Sequence, residues 1–425
     1  MTSSLLTDRY ELTMLDAALQ SGRAQRRSVF EVFTRRLPEG RRFGVVAGTG
    51  RLLDLIEDFR FDANDLAYVG TFLTPAAVDY LAGYRFTGSI TGYHEGELYF
   101  PSSPVLVVEG TFAEAVILET LVLSVLNYDS AVASAAARMV AAADGRPLAE
   151  MGSRRTGEHS AVAAARAAYI AGFAATSNLR AGSDWGIPTM GTAAHSFTLL
   201  HDSEEEAFRA QVAALGSSTT LLVDTYDIPN AVELAVRVAG TALGAVRLDS
   251  GDLPVVVQQV REQLDSLGAT STKITVTNDL DEFTIAALRA APVDSYGVGT
   301  SLVTGSGHPA SGMVYKLVAH ETDTGEWVSV AKRSAEKAGI GGRKLPERTV
   351  VDGVATAETI NLSGAGGAGR ALLVPLATDG VLDAAARGPA GITAAREHHA
   401  AAIAELPPAA RSLGRGEPAI PTVYR

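Results

Sequence analysis

A few short stretches of this chain combine residue types that can do chemistry. LDSGD at 248–252 sets two carboxylates and a hydroxyl on one tight turn. There Asp249 can accept from the hydroxyls of a ribose-like diol or, through water, hold Mg2+ beside a diphosphate. The same turn can equally serve as the N-cap of a following helix. Arg154 and Arg155 follow a short apolar run, where their forks can hold a carboxylate or phosphate in bidentate fashion or simply join surface ion pairs. Gly299-Thr300, with Ser301 behind, can offer backbone N–H groups to a phosphate or can be a plain turn; GSGHP at 305–309 adds a second loop of small residues. His195, in GTAAHSF, has no neighbour at metal-ligand spacing, since His201 is the nearest histidine and the chain has no Cys. It is either a satisfied packing or capping residue or an exposed imidazole that attacks phosphoryl groups. Tyr10, taken alone, is a packing residue.

The elements that must position these residues follow from periodicity and turn signals. Asp8 and Glu11 have capping-box spacing, Leu12, Leu15 and Leu19 share a face, and Gly22 is a stop, so a helix opens the chain. SVFEVF (28–33), GYRFTGSI (83–90), ELYFP and SPVLVVEGTF up to Phe112 alternate like antiparallel strands. Residues 1–112 therefore form a β-rich domain with a few helices. Ala113 to Asp144 is Ala- and Leu-rich and predicts one or two buried helices.

Short β-like runs then alternate with helical spacers. They are PLAEM (147–151), GFAAT (172–176), IPTMG (187–191), TLLVD (220–224), GAVRL (244–248), KITVT (273–277) and DSYGVG (294–299). That rhythm predicts an irregular (β/α) barrel over 113–325, with an eighth run not evident. Polar residues crowd the C-terminal end of nearly every run: Ser153-Arg154-Arg155, Ser177-Asn178, Asp224, Asp249-Ser250-Gly251-Asp252, Asn278-Asp279 and Gly299-Thr300. In such a barrel those ends share one rim, where active sites sit. Residues 326–425 return to strand- and loop-rich sequence with a basic stretch from Lys332 to Lys344 and an Ala-rich tail, and are expected to pack back on the N-terminal domain.

Composition removes several classes of function. Absence of Cys excludes disulfides, thiolate nucleophiles and Cys-based zinc sites. A formal net charge of −12 argues against nucleic acid or anionic lipid as a general partner, although Arg and backbone amides can still converge on a polyanion locally. The opening MTSSLLTDRYELTML has no basic n-region, and the apolar stretch Ala113 to Leu126 is interrupted by Glu114 and Glu119. A cytoplasmic location without membrane spans is expected. The residues alone reach a cytosolic α/β-barrel enzyme for a phosphorylated, anionic substrate and leave the reaction open.

In chain order, TDRYELTM, GSITGYHEGELYFPSSPVLVVEG, LETLVLSVLN, GSRR, ATSNLRAG, GTAAHSF, VDTYD, VRLDSGDL, TNDLDE, YGVGTSLVTGSGHPASGMVYKLV and KRSAEK resemble the successive motifs of nicotinate phosphoribosyltransferases, from about Thr7 to Lys344. The resemblance implies an N-terminal domain on an irregular barrel and a homodimer with shared active sites. It also implies joining of nicotinate to the phosphoribosyl group of phosphoribosyl pyrophosphate (PRPP), with ATP and Mg2+. On that pattern the partner's Tyr10 would stack on the pyridine ring, with Met151 standing where an aromatic residue is usual. Arg154 would lie beside ring and phosphate, and a neutral Asn178 would face the ring substituent, as suits an acidic base. Arg247 and Asp249 would line ribose and ring; Ser250, Gly251, Asn278, Gly299 and Thr300 would hold the phosphoribosyl group. Lys332 would reach diphosphate or ATP phosphates, and His195 would be phosphorylated by ATP. The carboxylate partner is one of Arg154, Arg155, Arg180 and Arg247. A nicotinamide-specific relative, or a barrel kept only for binding, are the alternatives.

Overall fold

The structure is a computed structural model and describes residues 3–332, 339–362 and 366–425. It divides into two compact units, one of 1–134 with 308–425, the other of 135–307. The boundaries therefore fall at 134/135 and 307/308, not at 112/113 and 325/326. The change in composition at Ala113 marks helices within the first unit, Phe112–Val116 and the start of Glu119–Ala143.

In the first unit a seven-stranded sheet runs in the order Trp327–Ser329, Met313–Glu321, Arg27–Thr34, Leu106–Thr111, Ser89–Tyr93, Leu373–Thr378, Val381–Leu382. Its named pairings are antiparallel, so strands from the C-terminal part of the chain flank strands from the N-terminal part. GYRFTGSI becomes a strand only from Ser89. A second sheet carries the hairpin Leu345–Val351 and Val354–Asn361. Its turn, Asp352-Gly353, has φ of +50° and +78°, the left-handed pair that an Asp-Gly hairpin turn supplies at least cost.

The opening helix, Arg9–Gln20, buries Leu12 and Leu15 as expected, and Leu19 lies half-buried. Its capping box does not form: the Asp8 side chain makes no cap bond, and Glu11 is instead drawn inward by Thr7 and by the Thr120 backbone N–H at 2.9 Å. The stretch Phe112–Ala143 is long and apolar enough to cross a membrane, contrary to the expectation from Glu114 and Glu119, but 67% of its most apolar window is buried, as in a core helix of a globular protein.

The second unit holds a six-stranded parallel sheet in the order Ala175–Thr176, Leu148–Glu150, Ser295–Val298, Lys273–Val276, Ala245–Leu248, Thr220–Leu222. Each strand leads into a helix, which makes the unit an incomplete, irregular α/β barrel. IPTMG at 187–191 is not a strand and touches the sheet through one bridge, Thr176 to Thr189. Pro188 has no N–H to give a ladder, and the segment spends its bonds on Thr176: Thr176 N–H donates to Pro188 O (3.0 Å) and Met190 N–H to Thr176 O (2.9 Å).

Candidate active site

The polar residues at the strand ends sort into two groups. Some do what loop residues ordinarily do. Asn178 Oδ1 caps the helix Leu179–Trp185 through Ala181 N–H (2.9 Å), Asp227 caps Ile228–Ala239 through Asn230 N–H (3.0 Å), and Asp281 caps Glu282–Ala287. Others cap nothing. Asp252 occupies an N-cap position without a side-chain bond, and Asp224, Arg247, Asp249 and His195 turn toward one another.

Asp224 is the hub of that second group. Its side chain is 1% exposed, and Oδ2 accepts from Asp249 N–H (2.7 Å) and Ser250 Oγ (2.8 Å). Gly251, at φ +94°, lets the turn double back. Asp224 Oδ1 is buried without a hydrogen-bond partner and lies 3.9 Å from His195 Nε2. Asp249 Oδ2 lies 4.0 Å from the same nitrogen, while Asp249 Oδ1 accepts from Thr277 Oγ1 (2.6 Å). His195 Nδ1 sits 3.1 Å from Thr225 Oγ1. Nε2 is the ring nitrogen on the side of the two carboxylates, and the tautomer in which Nδ1–H donates to the Thr225 hydroxyl is the one that frees its lone pair. The imidazole is 41% exposed, so it is not a core histidine.

Arg247 reaches from the strand Ala245–Leu248 to Thr192 Oγ1 (2.9 Å) and Ala193 O (3.0 Å), which pins the loop before His195. Burial pulls its pKa below the ordinary arginine value, and so does Arg154, while Asp249 and Asp224 work against them. A guanidinium remains charged under such conditions, and its Nε is buried without a partner.

Two clefts adjoin along this rim and share Met151, Arg154 and Arg247. The wider, about 320 Å³, is walled by Met151, Met190 and the backbone-rich segment Gly191 to Ala194, with Ser153 and Ser177. The other, about 210 Å³, is polar and is lined by Arg155, Asp249, Thr277, Asn278, Asp279, Gly299 and Thr300 as well. Met151 is set between them by its N–H to Val298 O (2.8 Å). A Cβ on Gly297 would come within 2.6 Å of Met151 Sδ, so a side chain there would displace the thioether from its present place. Beneath lies Glu150, fully buried, accepting from Gly152 N–H and Thr176 Oγ1; burial raises its pKa above the usual carboxylate value.

A profile of the nicotinate phosphoribosyltransferase (NAPRTase) N-terminal domain matches residues 5–127. A nicotinate phosphoribosyltransferase of Mycobacterium tuberculosis is 58% identical over 99% of this chain and 95% of its own length. The chain belongs to the nicotinate phosphoribosyltransferase family. A family member from Bacillus subtilis is 39% identical, covering 82% of this chain and 73% of its own. The crystal structure of human nicotinic acid phosphoribosyltransferase aligns with a TM-score of 0.83 at 25% identity, over 99% of this chain and 97% of that one.

Of the residues that the family resemblance singled out, Met151, Arg154, Arg247, Asp249, Asn278, Gly299 and Thr300 line the two clefts. His195 opens the helix His195–Leu200, and Ser250 and Gly251 stand on the turn after the strand Ala245–Leu248. Asn178 lines neither cleft: its amide is taken up by the helix cap and by Ser153 Oγ (3.0 Å), so it holds Ser153 in place instead. Tyr10 and Lys332 belong to the other unit, both exposed. The rest of KRSAEK, 333–337, lies outside the described residues. Arg180 is an exposed partner of Asp184 (2.8 Å) on its own helix, which leaves Arg154, Arg155 and Arg247 to meet an anion in the clefts. The sequence placed Asp224 on the rim without assigning it a role, and it did not single out Thr277, Glu150 or Met190. Asp224 carried a signal, because TLLVD ends an apolar run in an acid just as AVRLD does.

Proposed function

We propose that the chain transfers the 5-phosphoribosyl group of PRPP to the ring nitrogen of nicotinate, releasing pyrophosphate, with ATP hydrolysis assisting. The observation that carries this reading is the pair of adjoining clefts, one walled by thioethers and backbone, the other polar, joined by Arg154 and Arg247. A flat apolar ring with a carboxylate suits the first, and a ribose phosphate suits the second. The pyridine nitrogen brings its own lone pair, so no general base is required. The N–C1 bond forms as the C1–O bond breaks, and its electron pair leaves with pyrophosphate. Asp249 beside the ribose stabilises the oxocarbenium-like centre, while Arg154 and Arg247 meet negative charge on base and phosphates. Asn278 and the backbone at Gly299-Thr300 hold the 5-phosphate.

His195 is the acceptor of the ATP γ-phosphoryl group. Nε2 attacks phosphorus as ADP departs, and water later takes the phosphoryl group off as phosphate. Mg2+ accompanies PRPP and ATP, and its chemistry is to neutralise their phosphates. The residues fit a shared ion of this kind. Asp224 Oδ1 is a buried oxygen without a partner beside Asp249, and the described residues contain no cluster of three or more metal-binding side chains that would form a cage alone.

The enzyme acts in the cytoplasm as a homodimer in which the partner's Tyr10 covers the base cleft. In support, Tyr10 is 45% exposed with Met14 beside it. Leu179, Leu200, Tyr226, Val255 and Phe283, in the segments that follow the parallel strands, are exposed as well and would supply apolar contacts to a partner.

Pyrophosphate release with PRPP and Mg2+, offering nicotinate or nicotinamide with and without ATP, tests the reading. Release with nicotinate, stimulated by ATP, is expected. Release with nicotinamide alone would reassign the base, and release with neither would leave a binding protein.

A further inference from the structure

We propose that Met190 contacts the substrate's base and, with Met151, makes the ring-binding surface of the wider cleft from two thioethers. The inference rests on the proposed reading that nicotinate occupies that cleft. The chain has 6 methionines, and two of them, Met151 and Met190, meet among the residues that line this one cleft, where no aromatic side chain is found among the described residues. Met139 and Met313 are 0% and 4% exposed and fill the cores of their units. Met190 is 36% exposed and its side chain is left at a cavity wall. A long apolar side chain held there without burial is what a ligand-binding surface presents and a packing residue does not.

Both thioethers are placed by rigid backbone. Met151 is tied to the strand Ser295–Val298 and rests over Gly297. Met190 is tied by its N–H to Thr176 O (2.9 Å), and the segment before it lies hard against the helix Leu179–Trp185. A Cβ on Gly182 would meet Thr189 Cγ2 at 2.3 Å, so glycine there permits the approach. A polarisable sulfur attracts an aromatic ring beyond what area burial provides, and an electron-poor pyridine carrying a carboxylate is a fitting partner. Ser153, Ser177, Arg154 and Arg247 around the same cleft leave the anionic edge of the ring a polar side.

The test uses the full-length enzyme labelled with [methyl-13C]methionine, whose resonances are assigned through Met151→Leu and Met190→Leu. Adding nicotinate should move the Met151 and Met190 methyl signals by ring-current shifts and leave Met139 and Met313 in place. In steady state, Met190→Ala should raise KM for nicotinate about tenfold, with KM for PRPP and the melting temperature unchanged. Met190→Leu keeps the bulk without the sulfur and should raise it about 2- to 5-fold. Gly182→Ala, which touches no substrate, should also raise KM for nicotinate by displacing the 187–190 segment. Turnover of nicotinate by the wild type, with a still Met190 signal and an unchanged KM in Met190→Ala, overturns the inference and leaves the proposed function standing. Absence of turnover with either base overturns the function and this inference with it.

Discussion

The two units use the same charged residue types in opposite ways. In the antiparallel unit, Glu97 accepts from Arg370 (2.7 Å) and His398 (2.9 Å) and pairs with Arg348 (3.5 Å). Glu358 accepts from Arg348 (2.9 Å), Tyr93 (2.7 Å) and Ser103. Arg348 and Arg370 leave Nε unpaired, yet both oxygens of each carboxylate are engaged. On the rim of the parallel unit an arginine Nε is likewise unpaired, but here a carboxylate is open too: Asp224 engages one oxygen twice and the other not at all. A closed network holds structure together, because every buried charge has its counterpart. An open one keeps hydrogen-bonding capacity for something that arrives later, which is the mark of a site.

The sharpest way to break this contrast is to open the closed network. Arg348→Ala leaves Glu97 short of one partner and Glu358 without its cation in a fully buried setting, and should cost about 3–5 kcal/mol of stability by urea denaturation. A loss below about 1 kcal/mol would mean the network is solvated and the comparison fails. Arg247→Ala should do the reverse: kcat/KM falls by about 10²–10³, while the urea midpoint moves little.

His195→Ala should lose the ATP-stimulated part of turnover and retain ATP-independent synthesis at an unchanged melting temperature, since the ring is 41% exposed. Unfolding of that variant would return the histidine to a structural role. Asp224→Asn keeps the shape of the hub and should blunt the ATP stimulation in the same assay, leaving KM for nicotinate near the wild-type value.

The smallest effect is in pH. Burial pulls His399 down to about 4, against a hydrogen bond to the Gly96 carbonyl. A histidine whose folded pKa lies below its ordinary 6.5 contributes stability that is complete above 6.5 and lost as pH falls through about 4. The melting temperature should therefore fall between those values, and His399→Asn, whose amide can donate to the same carbonyl, should flatten that part of the profile. Burial pushes Glu97 up, but His398, Arg348 and Arg370 outweigh it and hold its pKa below the usual range. Its contribution is thus lost only at still lower pH.

Much of this was legible beforehand. The runs LAE, TLL, AVRL, KITV and SYGV are apolar, bounded by Gly, Pro or polar residues, and too short for helices, so each became a parallel strand. IPTMG read the same way and failed, because a proline and a competing pair of backbone bonds to Thr176 are not visible in apolar content. Asp352-Gly353, by contrast, is a hairpin signal carried by the dipeptide itself, since both residues take left-handed φ. At the site, periodicity placed the polar residues on one rim but did not separate Asn178, spent on a cap, from Asp224, spent on its neighbours.

The sequence by itself determined the family, the strand ends and the residues gathered there, because covalent order and hydrophobic pattern are local properties that survive without coordinates. Only the tertiary structure decided which of them serve the helices and which face the clefts. Hydrogen-bond capacity is finite and is assigned in space, and whether an oxygen such as Asp224 Oδ1 remains free depends on neighbours 25 residues away along the chain, such as Asp249.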